Sequence, residues 1–233
     1  MTTAPRTARA RAREEITRAI QQTARRHLGE VGPAALSLRA IAREVGMVSS
    51  AVYRYFPSRD ELLTALIIES YDELGAALET ADSSCAPQDA AGRLGAYAHA
   101  LRRWAREHPH EYALLYGSPV PGYAAPPTTI PAALRVSAVI LRIAEQAHRA
   151  GRHPAAARPL SEAETAGVAG VRSALADGQH VDDAHLVRWL QAWSLLFGQL
   201  SLELFGHLRG GILDDDAHWA QTIEQLQHDL GLQ

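Results

Sequence analysis

The chain is 233 residues long, enough to bury one large core or two modest ones. Its 23 basic residues against 26 acidic ones leave net −3, so bulk charge does not mark a nucleic-acid binder, and the lone Cys85 excludes an intrachain disulfide and a Cys-rich zinc site. No apolar run approaches about 18 residues, and no apolar stretch follows the arginine-rich start, so a cytoplasmic protein with no membrane partner is expected.

The charge is unevenly spread. Residues 1–60 carry eleven arginines and five acids, net +6, while the other 173 carry twelve arginines and 21 acids, net −9. A basic head on an acidic body fits a head that meets phosphate. Every basic residue is arginine. A GC-rich coding bias explains that equally well, so arginine content alone decides nothing.

Residues 1–8 are polar and read as an unstructured arm. A first helix is predicted from about Ala8 to Gly29, with Ile16, Ala19, Ile20, Thr23, Ala24 and Leu28 on its buried stripe. Arg6, Arg9, Arg11 and Arg13 stand near its start, where cations oppose the helix dipole. Contact with DNA phosphates accounts for them better than helix stability does; a solvated arm is the alternative.

Gly29 and Gly32-Pro33 break the chain before the segment from Ser37 to Phe56, which reads as two short helices around a tight turn. Leu38, Ile41, Ala42 and Val45 recur at helical spacing, and Gly46 supplies the positive φ that ends a helix. Ser49 or Ser50 can cap the second helix, whose Ala51, Val52 and Phe56 face inward. Ser49, Ser50, Tyr53, Arg54 and Tyr55 are then left to face a major groove.

Pro57 stops that helix, and Ser58 with Glu61 forms a capping box for a long one reaching about Glu79. After a polar break at 81–90, helices are predicted from about Leu94 to His108, around Tyr112 to Tyr116, and from Ile130 to Ala150. Between them, the four prolines and two glycines of Gly117 to Pro127 rule out a helix. Gly151 to Pro159 is a predicted loop, and Ser161 with Glu164 caps a helix to about Ala176. The last two helices are predicted near Asp183 to Leu208 and Asp214 to Leu230. No window alternates as a strand does, so the expected fold class is all-α.

The stretch from Arg13 to Glu79 resembles the TetR family of bacterial one-component regulators. The residues that carry this are the apolar first helix, Leu38 to Ile41-Ala42 with Gly46, Tyr53-Arg54-Tyr55-Phe56, and Ser58-Arg59-Asp60-Glu61-Leu62-Leu63. Trp104, His108-Pro109 and Gly117 to Gly122 resemble the ligand domain of one TetR subfamily. Two positions depart from the family pattern: Val48 stands where Ser or Thr is usual, and Arg59 where lysine is. The resemblance implies an N-terminal arm and helix-turn-helix head over 1–57, and a ligand-binding and dimerisation domain over 58–233 in which a long helix connects the two.

It also implies DNA contacts. Ser37 caps its helix and offers a backbone N–H to phosphate, with Arg39 and Arg43 on the exposed face beside it. Ser49, Ser50 and Arg54 are the candidates for base edges, Ala51 for a thymine methyl, and Tyr53, Tyr55 and Arg59 for phosphates. Core packing is the alternative for the tyrosines.

For the body, the irregular Pro/Gly segment suggests a pocket wall. Tyr97, Trp104, Tyr112, Tyr116, Tyr123, Trp189 and Trp193 are aromatic candidates to line it, and His99, Glu145, His148, Gln199, Glu203 and His207 polar ones. The selected ligand-binding set is Tyr97, Trp104, Tyr112, Tyr116, Tyr123, His148, Trp193 and Gln199. The helix near 183–208 is apolar almost all round, with Leu195, Leu202 and Phe205 opposite its main stripe. A partner subunit would cover it, so Leu196, Leu200, Leu204, Trp219, Ile223 and Leu226 are the expected dimer contacts.

The eleven histidines show no i,i+4 pair or carboxylate motif, so no metal, cofactor or catalytic residue is expected. The expectation is therefore a non-enzymatic, homodimeric regulator of operator DNA, a repressor released by a small-molecule effector. An architectural DNA binder without effector, or an all-α binding protein, is the rival reading.

Overall fold

The computed structural model describes residues 8–154, 159–173 and 181–233. Among these the chain is helical with no β-strand, and Arg209 and Ile212 form an isolated bridge. Most of the arm, the middle of the 151–159 loop, and the end of the helix expected to reach Ala176 lie outside the described residues.

The chain divides into two compact units that are interleaved in sequence. The first runs up to Ser70 and resumes over His108–Ile130; the second holds Tyr71–Glu107 and Pro131–Gln233. A boundary at residue 57, as the sequence suggested, would cut through the first unit.

Four helices open the first unit: α1 (Ala8–Val31), α2 (Leu38–Glu44), α3 (Ser49–Val52) and the start of α4 (Arg59–Ser83). Their shared core holds Ile20, Ala24, Leu38, Ile41, Ala42, Val52, Phe56, Leu62, Leu63 and Leu66. Ala19, placed on the α1 stripe by spacing, is exposed instead. Gly46 takes φ +71°, the left-handed turn that frees α3 to change direction.

Helix α6 (Pro109–Tyr116) and the irregular segment after it complete this unit. Val120 is part of its core, Tyr123 packs against it, and the Tyr123 hydroxyl lies 2.9 Å from Thr64 Oγ1. Arg25 on α1 faces Glu69 at 3.3 Å and Glu111 at 4.0 Å. The Pro/Gly segment is therefore a support of the head, where its composition had suggested a ligand-pocket wall.

The second unit contains the rest of α4, α5 (Ala90–Glu107), α7 (Ile130–Arg149), α8 (Glu162–Gly167), α9 (Ala169–Ser173), α10 (Asp183–Leu204) and α11 (Asp215–Asp229). The Ser161–Glu164 capping box forms as expected, but the helix breaks at Val168 into α8 and α9. Polar links fasten the helices. Arg93 meets Asp82 at 2.7 Å, and Arg102 reaches Glu203 at 2.9 Å and Asp216 at 2.7 Å, joining α5 to α10 and α11. Arg135 on α7 forks onto Glu79 and Asp72 of α4.

The span Pro127–Arg149 is long and apolar enough to cross a membrane by length and composition, with mean hydropathy 1.2. Within that span Arg135 pairs with Glu79 at 2.7 Å and Arg142 with Asp82 at 3.5 Å.

Candidate functional site

The outward face of the helix-turn-helix follows from what its inward face buries. Val52 is fully buried and Phe56 is 6% exposed, which turns Ser49, Ser50, Tyr53 and Arg54 to solvent. Arg39 and Arg43 of α2 are exposed beside them. Ser37 caps α2 by accepting a 3.4 Å bond from the Ala40 N–H. Ala51 is half-buried, so its methyl is shared between core and surface.

The cap of α3 differs from expectation. Val48 occupies the N-cap with no side-chain bond, and Ser49 is already helical. Val48 is 70% exposed, so an apolar group stands at the tip of the reading element. Nothing in sequence marks Val48 as a surface residue of this element beyond the absence of a hydroxyl at the cap.

Two other residues differ in employment. Arg59 donates through Nη2 to the carbonyls of Pro33 at 2.7 Å and Ala34 at 3.2 Å, so its fork holds the turn before α2. Tyr55 packs its ring against the head core, under the Arg13 guanidinium at 5.2 Å. Arg13 also donates to the Arg54 carbonyl at 3.4 Å, tying α1 to the end of the reading element. Contacts of this kind between distant residues have no spacing signature in sequence.

On the opposite flank, Glu44 accepts from Arg26 and His27, each at 2.6 Å. These partners, Arg26 first, hold its carboxyl below the ordinary carboxylate range.

The second unit contains a cavity of about 370 Å³, in the range of small-molecule sites. Leu134, Ser137, Ile140 and Leu141 of α7, Gly167, Gly170 and Val171 of α8 and α9, and Trp189, Leu190 and Trp193 of α10 form its wall. The indole N–H of Trp189 is buried with no acceptor among the described residues.

Two family profiles match successive parts of the chain. A profile of bacterial regulatory proteins of the tetR family matches residues 20–66, and one of the tetracyclin repressor-like C-terminal domain matches 94–226. The HTH-type transcriptional regulator Rv1816 of Mycobacterium tuberculosis is 40% identical over 210 residues, covering 88% of this chain and 87% of its own. The chain belongs to the TetR family. The crystal structure of SCO4313 superposes on 96% of this TetR-family regulator and 98% of its own chain, with TM-score 0.78 and 35% identity. The HTH-type transcriptional repressor LfrR of Mycolicibacterium smegmatis is 43% identical over 82 residues, 35% of this chain and 42% of its own.

The structure distributes this TetR regulator's expected ligand residues unevenly. Trp193 lines the cavity. Tyr97 and Trp104 are buried core, and Tyr97 donates to the Val136 carbonyl at 3.3 Å. Burial raises its phenol pKa, with the neighbouring Trp193 indole opposing. Gln199 and His148 are half-buried in the second unit but do not line the cavity, and Tyr112, Tyr116 and Tyr123 belong to the first unit. The residues missed are the α7 and α8–α9 aliphatics, which nothing in sequence separates from core.

The expected dimer contacts need correction. Leu196, Leu200 and Trp219 are fully buried within the subunit, Ile223 and Leu226 nearly so, and Leu204 is half-buried. This stripe holds α10 and α11 to the chain's own body. The apolar groups left in solvent on α10 and just beyond it are Leu195 at 50%, Leu202 at 45% and Phe205 at 45%. One further expectation changes: His148, His153 and His185, scattered in sequence, come together in space.

Proposed function

We propose that this regulator is a homodimeric repressor, acting in the cytoplasm, that a small apolar molecule releases from its operator. The observation that carries the DNA reading is the exposed set Val48, Ser49, Ser50, Tyr53 and Arg54 above a fully buried Val52, flanked by Arg39 and Arg43. Arg54 reads guanine through a bidentate fork, Val48 and Ala51 meet thymine methyls, and Ser37, Arg39 and Tyr53 fix the head on phosphates. In the dimer, two heads enter major grooves about 34–36 Å apart on a near-palindrome.

The repressor sign is supported by the name of the relative LfrR. The cavity supports an effector: its wall is aliphatic and aromatic, with Ser137 and the Trp189 indole as polar groups to orient a ligand. A planar, largely apolar molecule with one or two acceptors fits that chemistry. Release then needs the effector to favour the DNA-incompetent state, by roughly 10⁴-fold for a full switch.

Two chain segments can carry the signal. Helix α4 runs through both units, and α7, a cavity wall, is preceded by the segment that braces the head through Val120 and Tyr123.

The deciding experiment selects an operator from random DNA with the full-length protein, then adds small aromatic compounds to the complex. Arg54→Ala with Tyr53→Phe should weaken preference for the selected site. Unchanged preference would overturn the assignment of α3 as reader, and failure of every cavity-binding compound to release DNA would overturn the effector reading.

A further inference from the structure

The three histidines noted above lie in separate elements: His148 in the last turn of α7, His153 in the loop after it, and His185 in the first turn of α10. One ring nitrogen from each lies within 4.8 Å of the other two. The rings meet edge to face, with centroids 5.1 to 6.1 Å apart, so they do not stack as a packed aromatic pile would.

His185 is 1% exposed, and its Nε2 lies 2.9 Å from the Ala144 carbonyl oxygen. A carbonyl only accepts, so Nε2 carries the hydrogen and Nδ1 is left with a bare lone pair. Among the described residues that Nδ1 is buried without a hydrogen-bond partner, and so is Nδ1 of His148. A buried acceptor without a donor, such as Nδ1 of His185, is unfavourable unless something electrophilic meets it.

We propose that His148, His153 and His185 form a three-imidazole site for a late first-row transition-metal dication, with Zn²⁺ as the reference ion. Imidazole nitrogen selects this class over Mg²⁺ and Ca²⁺, which take oxygen. A backbone carbonyl on the remote nitrogen of His185 is the outer-shell arrangement that orients a metal-binding imidazole. Three protein ligands leave one tetrahedral position open to water or another small donor.

Nitrogens about 2.0–2.1 Å from a tetrahedral ion stand roughly 3.4 Å apart, so the rings must draw together by about an ångström. The exposed His153 ring has room to do so. Its backbone is positioned by the end of the chain: Gly231, at φ +68°, leaves no space for a Cβ against the His153 carbonyl, and Arg152 donates to the Gln233 carbonyl at 2.9 Å. The ion would clasp α7, this loop and α10 one turn before Trp189, whose ring is 6.1 Å from that of His185 and which lines the cavity.

The test uses untagged full-length protein, stripped with a chelator and titrated with Zn²⁺ against a chromophoric chelator. Co²⁺ is titrated in parallel for the visible absorption of a tetrahedral site. One equivalent per chain is expected, with His153→Ala and His148→Ala each losing at least the ~10–100-fold in affinity that removal of an outer-shell partner costs. His218→Ala and His228→Ala should bind as the parent does. Because His185 is buried, its variant is scored only after circular dichroism shows it folded; the exposed His153 carries the test regardless. Absence of stoichiometric binding, or parental affinity in His153→Ala and His148→Ala, overturns the site.

Discussion

Arg54 and Arg59 stand five residues apart and work in opposite directions. Arg54 is exposed and tied to the chain through its backbone carbonyl, whereas the Arg59 guanidinium is occupied by the Pro33 and Ala34 carbonyls. Arg54→Ala should cost about 1–3 kcal/mol of discrimination at one base pair, read as the ratio of operator to random-DNA affinity. Arg59→Ala should instead lower the melting temperature, since charge-assisted hydrogen bonds each contribute about 1.5–3 kcal/mol. Were Arg59 chiefly a phosphate contact, its loss would leave melting unchanged and reduce the salt slope by about one. Gly46→Ala places a side chain at φ +71°. It should destabilise the head by about 1–2 kcal/mol in denaturant titration without altering base preference.

Helix α10 shows why an element can be recognised and its surroundings still misread. Its near-continuous apolar surface is visible in sequence, and it suggests a covering partner. Periodicity yields two stripes and does not say which one meets the chain's own body. The structure gives Leu196 and Leu200 to the body and leaves Leu195, Leu202 and Phe205 outside. A groove of about 310 Å³ between α10 and α11, floored by Leu226 and Leu230, lies on the same side as Leu195. Leu195→Arg with Leu202→Arg should therefore give folded monomers by light scattering, while Leu200→Arg should unfold the body by circular dichroism. Folded dimers from the double variant would move the interface elsewhere.

The α4–α7 link makes a separate prediction at this scale. Arg135 holds the Glu79 carboxyl below its usual 4.5. A carboxylate depressed in the folded state stabilises above its unfolded pKa and loses that contribution as pH falls through the folded one. Melting temperature should accordingly drop as pH falls below 4.5, and Arg135→Gln should flatten part of that drop.

At the level of the molecule, the family, the all-α class and the head's burial pattern were legible because they rest on local periodicity, caps and turn glycines. The capping residues Ser37, Ser58 and Ser161 serve as their positions suggest, and Asp214 caps the last helix as well. What was not legible depends on distant pairings: the histidine cluster, the Arg13 brace, and above all the placement of 117–127 with the head. A fragment ending at residue 57 would lack Leu62, Leu63, Leu66 and Val120 from the head core. It should show no cooperative unfolding transition, and a fragment extended to residue 70 should regain little without Val120 and Tyr123.

That discontinuity restricts how such a regulator can diversify. A gene fusion that exchanges heads at a single crossover would sever one stretch of the core from another. Recombination that preserves folding must carry two separated segments together, so residues 108–130 travel with the helix-turn-helix they pack against. New signals are then more readily acquired by altering the α7–α10 cavity wall in place than by grafting a foreign sensor onto an unchanged reader.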